Sequence, residues 1–446
     1  MADITSLAEL LKKHGVVGAG GAGFPSYAKL NKKADTVILN CAECEPLFKV
    51  HRQVLAMYTN EILHALNEVA KAVEAQQVII AVKKSYKNTM NALYEHIDKY
   101  KNFSIKRLPE VYPSGDEVVT SFEATGRIVP QGQIPISVGV IVYNVETMLN
   151  AYYVLTKNKP VTLKYVTVAG EVLNPQTFLV PLGTEISQLI EAAGGVTRRD
   201  VAYLNGGIMT GNITKTNMPV TKTTNAVLVL PKDHIAIKRR LTKTSINLNR
   251  TKSACCQCRM CTDLCPRYLL GQDLQPHSIM YGASNGNTKN VDIFVNSAFC
   301  SQCGLCELYS CGQGLSPKMM IGVFKTEFGK KSVRPQVADE TPKVHPAREY
   351  RLVPMERLIT RLGLNVYDAE APINEKVLKP KKVKIMLNQH IGVPAVAVVK
   401  TGDKVNAGQV IGEVADDKLG VNIHSSIDGV VGEVKNGYII IERTDS

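Results

Sequence analysis

Two runs of cysteine constrain this chain more than any other feature. CCQCRMCTDLCP begins at Cys255 and CSQCGLCELYSCG begins at Cys300. Cys255, Cys258, Cys261 and Cys265 follow C-x2-C-x2-C-x3-C-P, while Cys300, Cys303, Cys306 and Cys311 follow C-x2-C-x2-C-x4-C. Two-residue gaps let a tight loop aim three thiolates at one cubane, and the fourth cysteine leaves on a helical turn toward the other cluster. The spacing therefore assigns Cys255, Cys258, Cys261 and Cys311 to one [4Fe–4S] cluster. It assigns Cys300, Cys303, Cys306 and Cys265 to a second. Structural zinc is the alternative, since paired C-x2-C motifs also suit a tetrahedral ion. Zinc takes two pairs per ion, however, and each half here offers a triplet plus one. The second run carries one extra residue before Cys311, and Gly312 stands where the first run has Pro266. Cys256 is left over and reads as a spare thiol packed beside the cluster.

Compartment follows from what the rest of the chain lacks. No apolar run approaches a membrane span, and Met1–Gly15 has no signal-peptide hydrophobic segment, so the expected location is cytoplasmic without direct membrane insertion. Thiols stay reduced there, and eleven cysteines are not a disulfide framework. With 446 residues, 45% of them hydrophobic, the chain is globular and long enough for three or four domains. Much of its formal charge of +13 gathers at Lys238–Lys252 (KRRLTKTSINLNRTK) and Lys379–Lys384 (KPKKVK). Such runs are solvated linkers or docking surfaces for an acidic protein or phosphate-bearing ligand. No aromatic-interleaved basic platform accompanies them, so nucleic acid is not an expected partner. Cys41 and Cys44 form one more C-x2-C, which reads as ordinary packing or as a redox dithiol without thioredoxin-like surroundings.

The first 160 residues alternate helical and strand patterns, as an α/β sheet does. SLAELLKKHG is amphipathic, and serves either as a first helix covering the domain or as a packaging signal. VVGAGGAGFPSYAKL follows, in which Gly18, Gly20 and Gly23 fit G-x-G-x-x-G. A helix rather than a strand precedes this loop, so it is not the dinucleotide fingerprint. Its glycines and alanines still let backbone N–H groups approach a phosphate or a flat ring, with Lys29 near enough to neutralise the phosphate. Strands are expected at ADTVILN, VIIAVKK and VIVYNVET, and YPSGDE is a turn carrying two acids.

GAGGAGFP, NCAECEP, YPSGDE and YNVET, in that order, resemble the flavin-binding subunit of respiratory complex I. They are still more similar to the RnfC component of Rnf-type electron-transport complexes. The resemblance implies noncovalent FMN among Gly18, Gly20, Gly21, Lys29, Asn40, Glu43, Tyr112, Gly115, Asn144 and Thr147. It also implies NADH stacked on Phe24 and oriented by Glu45 and Glu117. Ala19 and Tyr143 depart from the complex I pattern, and no contact is carried over for them.

Residues 161–240 read as a hairpin and a short helix, with Thr184 as N-cap, Ile186, Leu189 and Ile190 as its apolar face and Gly194 at its end. This resembles the soluble-ligand-binding β-grasp module, here a spacer or a corrinoid binder. Residues 245–325 hold the cysteines in a ferredoxin-like helical unit, and 326–380 read as a linker with one helix, MERLITRLG. From 381 to 446, short strands separated by TGD, NAG and DG turns read as a barrel-sandwich hybrid. Lys418 lies where biotinyl and lipoyl carriers place their modified lysine, without the carriers' flanking context.

The expected fold is thus multidomain α/β, with a Rossmann-like flavin domain at 1–160 and the barrel-sandwich hybrid last. That order resembles the cobalamin (corrin) reductases of propanediol-utilisation microcompartments along essentially the whole chain. The resemblance implies an NADH-dependent reductase with FMN and two [4Fe–4S] clusters, acting on a corrinoid inside a microcompartment. An adenosyltransferase and shell proteins are its implied partners. Alternatives are the electron-input subunit of an Rnf-type membrane complex and a non-catalytic scaffold.

Overall fold

The structure is a computed structural model that describes residues 3–286, 289–337 and 341–444. Its first unit is a four-stranded parallel sheet in the order Phe103–Leu108, Gln77–Lys83, Thr36–Cys41, Val140–Asn144. Val37, Leu39, Val78 and Ile80 are fully buried against the helices Val50–Met57, Thr59–Val73 and Val145–Lys157. The helix Glu117–Thr125 covers the opposite face. The strand Phe103–Leu108 is not anticipated by the sequence reading: it lies at the sheet edge, and its FSIKRL pattern is mostly solvated. YNVET is only half strand. Asn144 ends it, and its side chain accepts from Glu146 N at 3.0 Å to cap the helix that follows. The first helix, Ile4–Lys13, buries Leu7 and Leu11 in this core, which is the covering role.

The expected hairpin is Leu163–Gly170 with Gln176–Pro181, and the helix Ile186–Ala192 buries Ile186, Leu189 and Ile190. Thr184 is not its cap. That hydroxyl donates to the Pro181 carbonyl at 2.7 Å, and Glu185 takes the cap position without a side-chain bond. Ala226–Pro231 inserts parallel to Leu163–Gly170, which completes a mixed six-stranded sheet. The basic run Lys238–Lys252 is not an unstructured linker but lies largely in two helices, Ile235–Leu241 and Thr244–Ala254. The segment 326–380 is a strap rather than a linker: Val353–Pro354 pairs with Val111–Tyr112, and Ile373–Asn374 pairs with Thr177–Phe178. The C-terminal unit packs Val383, Ile385, Ile411, Ile423, Val431 and Ile441 between a four-stranded and a three-stranded sheet. Lys418 is in an exposed turn beside Asp417. No helix among the described residues is long and apolar enough to cross a membrane.

Lys222 joins three units. Its ammonium donates to Gly15 O at 2.7 Å and Asn422 O at 3.3 Å, without a carboxylate partner. Burial pulls its pKa from 10.5 down to about 7. Between those values the unfolded chain holds a proton that the folded protein lacks, so stability rises with pH through that window. Below it both states are charged, and the folded protein bears the desolvation cost. Lys222→Met is expected to remove this rise. The unfolding free energy of the variant minus that of wild type, from urea titrations, is largest below about pH 7 and shrinks toward pH 10. A difference independent of pH would show that the ammonium is not desolvated.

Candidate functional site

The sheet order places Thr36–Cys41 beside Val140–Asn144, with the chain running away on opposite sides. Ligands of open α/β sheets bind outside the strand carboxyl ends at such a reversal. Register puts Asn40 directly opposite Asn144 there. An open cleft of about 640 Å³ lies at this point, walled by Gly18, Gly20, Gly21, Phe24, Lys29, Asn40, Gly115, Glu117, Asn144 and Thr147. Ten of the thirteen residues expected at the flavin and NADH sites therefore meet in one place.

Local bonds hold the wall. Ala19 N donates to Thr147 Oγ1 at 2.9 Å, and that hydroxyl donates to Val17 O at 3.3 Å. Gly18 N donates to Phe24 O at 2.9 Å, closing the loop into a narrow turn. A β-carbon on Gly20 would lie 2.5 Å from Asn144 Nδ2, so only glycine lets the loop approach this strand end. Tyr143, which replaces an asparagine of the complex I pattern, anchors its hydroxyl on Ser26 O at 3.2 Å. Asn40 Nδ2 donates to Gly115 O at 2.9 Å. Lys29 is not a free counter-charge: its ammonium is 2.6 Å from Glu117 Oε1 and 2.8 Å from Val142 O. Phe24, Lys29, Glu117 and Val142 also border a second, more apolar hollow closed by Ile134, Pro135 and Ile136. The sequence reading misses those three, although an IPI run between polar neighbours is a visible signal.

These features fit a flavin mononucleotide. Exposed glycine backbone and the N-terminus of the 13-residue helix Val145–Lys157 suit a phosphate, and the flat apolar side suits a ring system.

Glu43, Glu45 and Tyr112 are not walls of the cleft. Glu43 accepts from His51 N at 2.6 Å and Arg52 Nε at 2.9 Å. Burial pushes its pKa up, but the Arg52 guanidinium, and after it His51, hold it below the usual carboxylate range. Glu45 turns to the neighbouring unit, accepting from Met209 N at 2.9 Å and Thr210 N at 2.8 Å, with its pKa raised by burial. Tyr112 Oη donates to the Cys303 carbonyl at 2.6 Å. All three act from behind the wall. Long-range partners decide this, and no local pattern displays them. Cys41 and Cys44 are packed thiols; burial raises both, Cys44 to about 11, which leaves them protonated at neutral pH.

The two cysteine runs lie close enough in the fold for their thiols to influence one another. Cys255, Cys258, Cys261 and Cys311 line one hollow of about 530 Å³, and the leftover Cys256 borders it too but is exposed rather than packed. Burial lifts the Cys261 thiol to about 12, with further contributions from Cys311, Cys258 and Cys255. Cys265, pushed up to about 12 chiefly by burial, also feels Cys300, and Cys303 is raised by burial, Cys265 and Cys300. Cys306 is raised by burial and then by Cys300 and Cys303. Among the described residues, no three His, Cys, Asp or Glu side chains converge tightly enough for a single ion. Thiols spaced around a hollow of this size suit a multi-atom cluster. The extra residue before Cys311 is taken up by a turn in which Ser310 N donates to Leu305 O at 2.8 Å.

The two sets differ in surroundings. Cys265, Cys300 and Cys306 are buried and Cys303 half-buried, whereas Cys258 is exposed and Cys255, Cys261 and Cys311 are half-buried. The YPSGDE loop touches both the cleft and the inner set. Its Gly115 walls the cleft against Cys44, its Tyr112 holds Cys303, and its Asp116 pairs with Arg267 at 2.8 Å, two residues beyond Cys265. Cys44, Tyr112 and Cys303 belong to one apolar cluster.

Four family models match the chain: a Nuo51 FMN-binding domain at 11–153, an SLBB domain at 165–211, a 4Fe-4S dicluster domain at 254–316 and an RnfC barrel sandwich hybrid domain at 366–444. Cobalamin reductase PduS of Citrobacter freundii is 39% identical over 99% of this chain and 97% of its own length. The Salmonella typhimurium protein of that name is also 39% identical, over 98% of this chain and 96% of its own. A component of the Na(+)-translocating ferredoxin:NAD(+) oxidoreductase complex of Acetobacterium woodii is 29% identical over 62% of this chain and 61% of its own. A solved NAD+-reducing [NiFe]-hydrogenase covers 76% of this chain, and 64% of its own chain, at 18% identity and a TM-score of 0.49.

Proposed function

The chain belongs to the PduS family of cobalamin reductases, and from that premise we propose an NADH-dependent flavin and iron–sulfur reductase that brings corrinoid cobalt toward the cobalt(I) state. The observation that carries this reading is the YPSGDE loop, with Gly115 on the cleft and Tyr112 and Asp116 on the inner cysteine set. Bound FMN would exchange the hydride of NADH for single electrons, and two bound [4Fe–4S] clusters would carry them one at a time.

The chain's own residues bind, orient and insulate. Gly18, Gly20 and Gly21 offer backbone to the phosphate end, with Asn144 and Thr147 fixing the loop. Phe24 and Glu117, at the border of the apolar hollow, present a stacking face and a hydroxyl acceptor to NADH. Ile134, Pro135 and Ile136 keep water from that side. Glu43, Glu45 and Tyr112 position neighbouring segments and touch no ligand. Cys265, Cys300, Cys303 and Cys306 hold the cluster nearer the flavin, and Cys255, Cys258, Cys261 and Cys311 the outer one.

The same reading divides the chain at 1–160, 161–240, 245–325, 326–380 and 381–446, with Rossmann-like, β-grasp and ferredoxin-like labels for the first three. It places the protein in a propanediol-utilisation microcompartment, feeding an adenosyltransferase. Anaerobic incubation of iron-loaded protein with NADH and hydroxocobalamin, followed by visible spectroscopy, is expected to show cobalt reduction at the expense of NADH. NADH oxidation that leaves the corrinoid spectrum unchanged would favour the Rnf-type electron-input reading.

A further inference from the structure

The outer cysteine set is preceded by a stretch of chain whose charges are all positive. No carboxylate lies between Lys238 and Met260. Arg239 of this stretch is buried, and Arg240 spends its guanidinium on the Gly211 and Ile208 carbonyls. Lys243, Arg250, Lys252 and Arg259 are exposed, and none has an ion-pair partner among the described residues. Arg259 lines the outer hollow. Arg250 reaches to 3.8 Å from where a β-carbon on Gly314 would lie, in the loop after Cys311. The helix Thr244–Ala254 runs directly into Cys255. Ile246 and Met260 stand 48% and 38% exposed among these cations. Exposed apolar side chains on a stretch of unpaired cations have the make-up of a small, transient, electrostatically steered interface.

We propose that this face docks an acidic one-electron carrier protein, drawn by the unpaired cations to the exposed outer set. The inference rests on reading the two cysteine sets as iron–sulfur sites. It separates two exits, one for the corrinoid and one for a protein partner. Each encounter passes one electron out, leaving the carrier reduced by one. Two encounters discharge one NADH to NAD+ and one proton. A membrane or nucleic-acid surface would also meet the charge but would not use the thiol-lined opening at its centre.

The test uses iron-loaded full-length protein and an oxidised acidic flavodoxin as probe. Calorimetry at low salt is expected to show one binding site, weakened about tenfold in the Lys243→Glu, Arg250→Glu, Lys252→Glu triple variant and progressively lost as wild type is titrated at rising ionic strength. The variant should keep its flavin absorbance and its iron, and NADH should reduce its own flavin at the wild-type rate. NADH-driven one-electron reduction of flavodoxin, read by visible absorbance, should fall in parallel with binding. Absence of binding to wild type, salt-independent binding, or equal affinity in the variant overturns the proposal. So does tighter binding to phosphatidylglycerol vesicles than to flavodoxin at matched salt. Binding is read without NADH or corrinoid, so a failure of corrinoid reduction leaves this result standing on its own.

Discussion

Replacing Cys303 with serine is expected to remove the inner iron–sulfur centre while leaving the flavin in place. Cys303 sits where three independent contacts converge: its thiol faces Cys265 and Cys300, its carbonyl takes the Tyr112 hydroxyl at 2.6 Å, and its side chain packs in the cluster holding Cys44. A serine hydroxyl is a poor ligand for iron, so the chain should carry about four irons instead of about eight. The cleft is lined by none of the cysteines of either set and should bind FMN as before. NADH should then bleach the flavin but no longer develop the paramagnetic signal of the outer centre, which dithionite still produces. Corrinoid reduction is expected to fall by more than about 100-fold, since losing a ligand removes more than losing an outer-shell partner, which costs roughly 10–100-fold. An outer signal that NADH still raises at the wild-type rate would show that electrons bypass the inner set. Unchanged corrinoid turnover alone would mean that the flavin serves the corrinoid directly.

The second large effect concerns a charge pair. Lys164 and Glu146 form an ion pair whose side chains are 1% and 2% exposed. Glu146 also accepts from Tyr165 N at 3.0 Å, and Lys164 donates to Asn225 Oδ1 at 2.8 Å. Removing one partner strands the other charge in the interior, a loss of about 3–5 kcal/mol against a typical stability of about 5–15 kcal/mol. Lys164→Met is therefore expected to lower the urea midpoint sharply, and to weaken FMN retention because Glu146 lies between Asn144 and Thr147 on the cleft wall. Replacing both together, Lys164→Met with Glu146→Leu, should recover most of the stability, since an apolar pair of similar volume restores packing without a stranded charge. A single variant within about 1 kcal/mol of wild type would mean that the pair is solvated after all.

Legibility in the sequence tracked how local each feature is. Buried strands such as Thr36–Cys41 and Gln77–Lys83 announce themselves as apolar runs, while the solvated edge strand Phe103–Leu108 does not. The glycine loop could be read because close backbone approach needs glycine wherever it occurs. Thr184 looked like a cap because caps are recognised by residue type, yet its hydroxyl found a nearer carbonyl.

The parallel α/β character of the first unit came from periodicity and the two cysteine runs from spacing, which a linear chain carries within a few residues. The cleft wall beyond the glycine loop and Lys29 came instead from ordered motifs shared with flavin-binding subunits. Glu45 on the Met209–Thr210 backbone, Tyr112 on Cys303, and Asp116 on Arg267 span 151 to 191 residues of chain. No local pattern encodes such pairings, because each depends on how separately folded units settle against one another. Which cysteine set lies toward the cleft and which toward the surrounding solution was therefore decided only by tertiary packing.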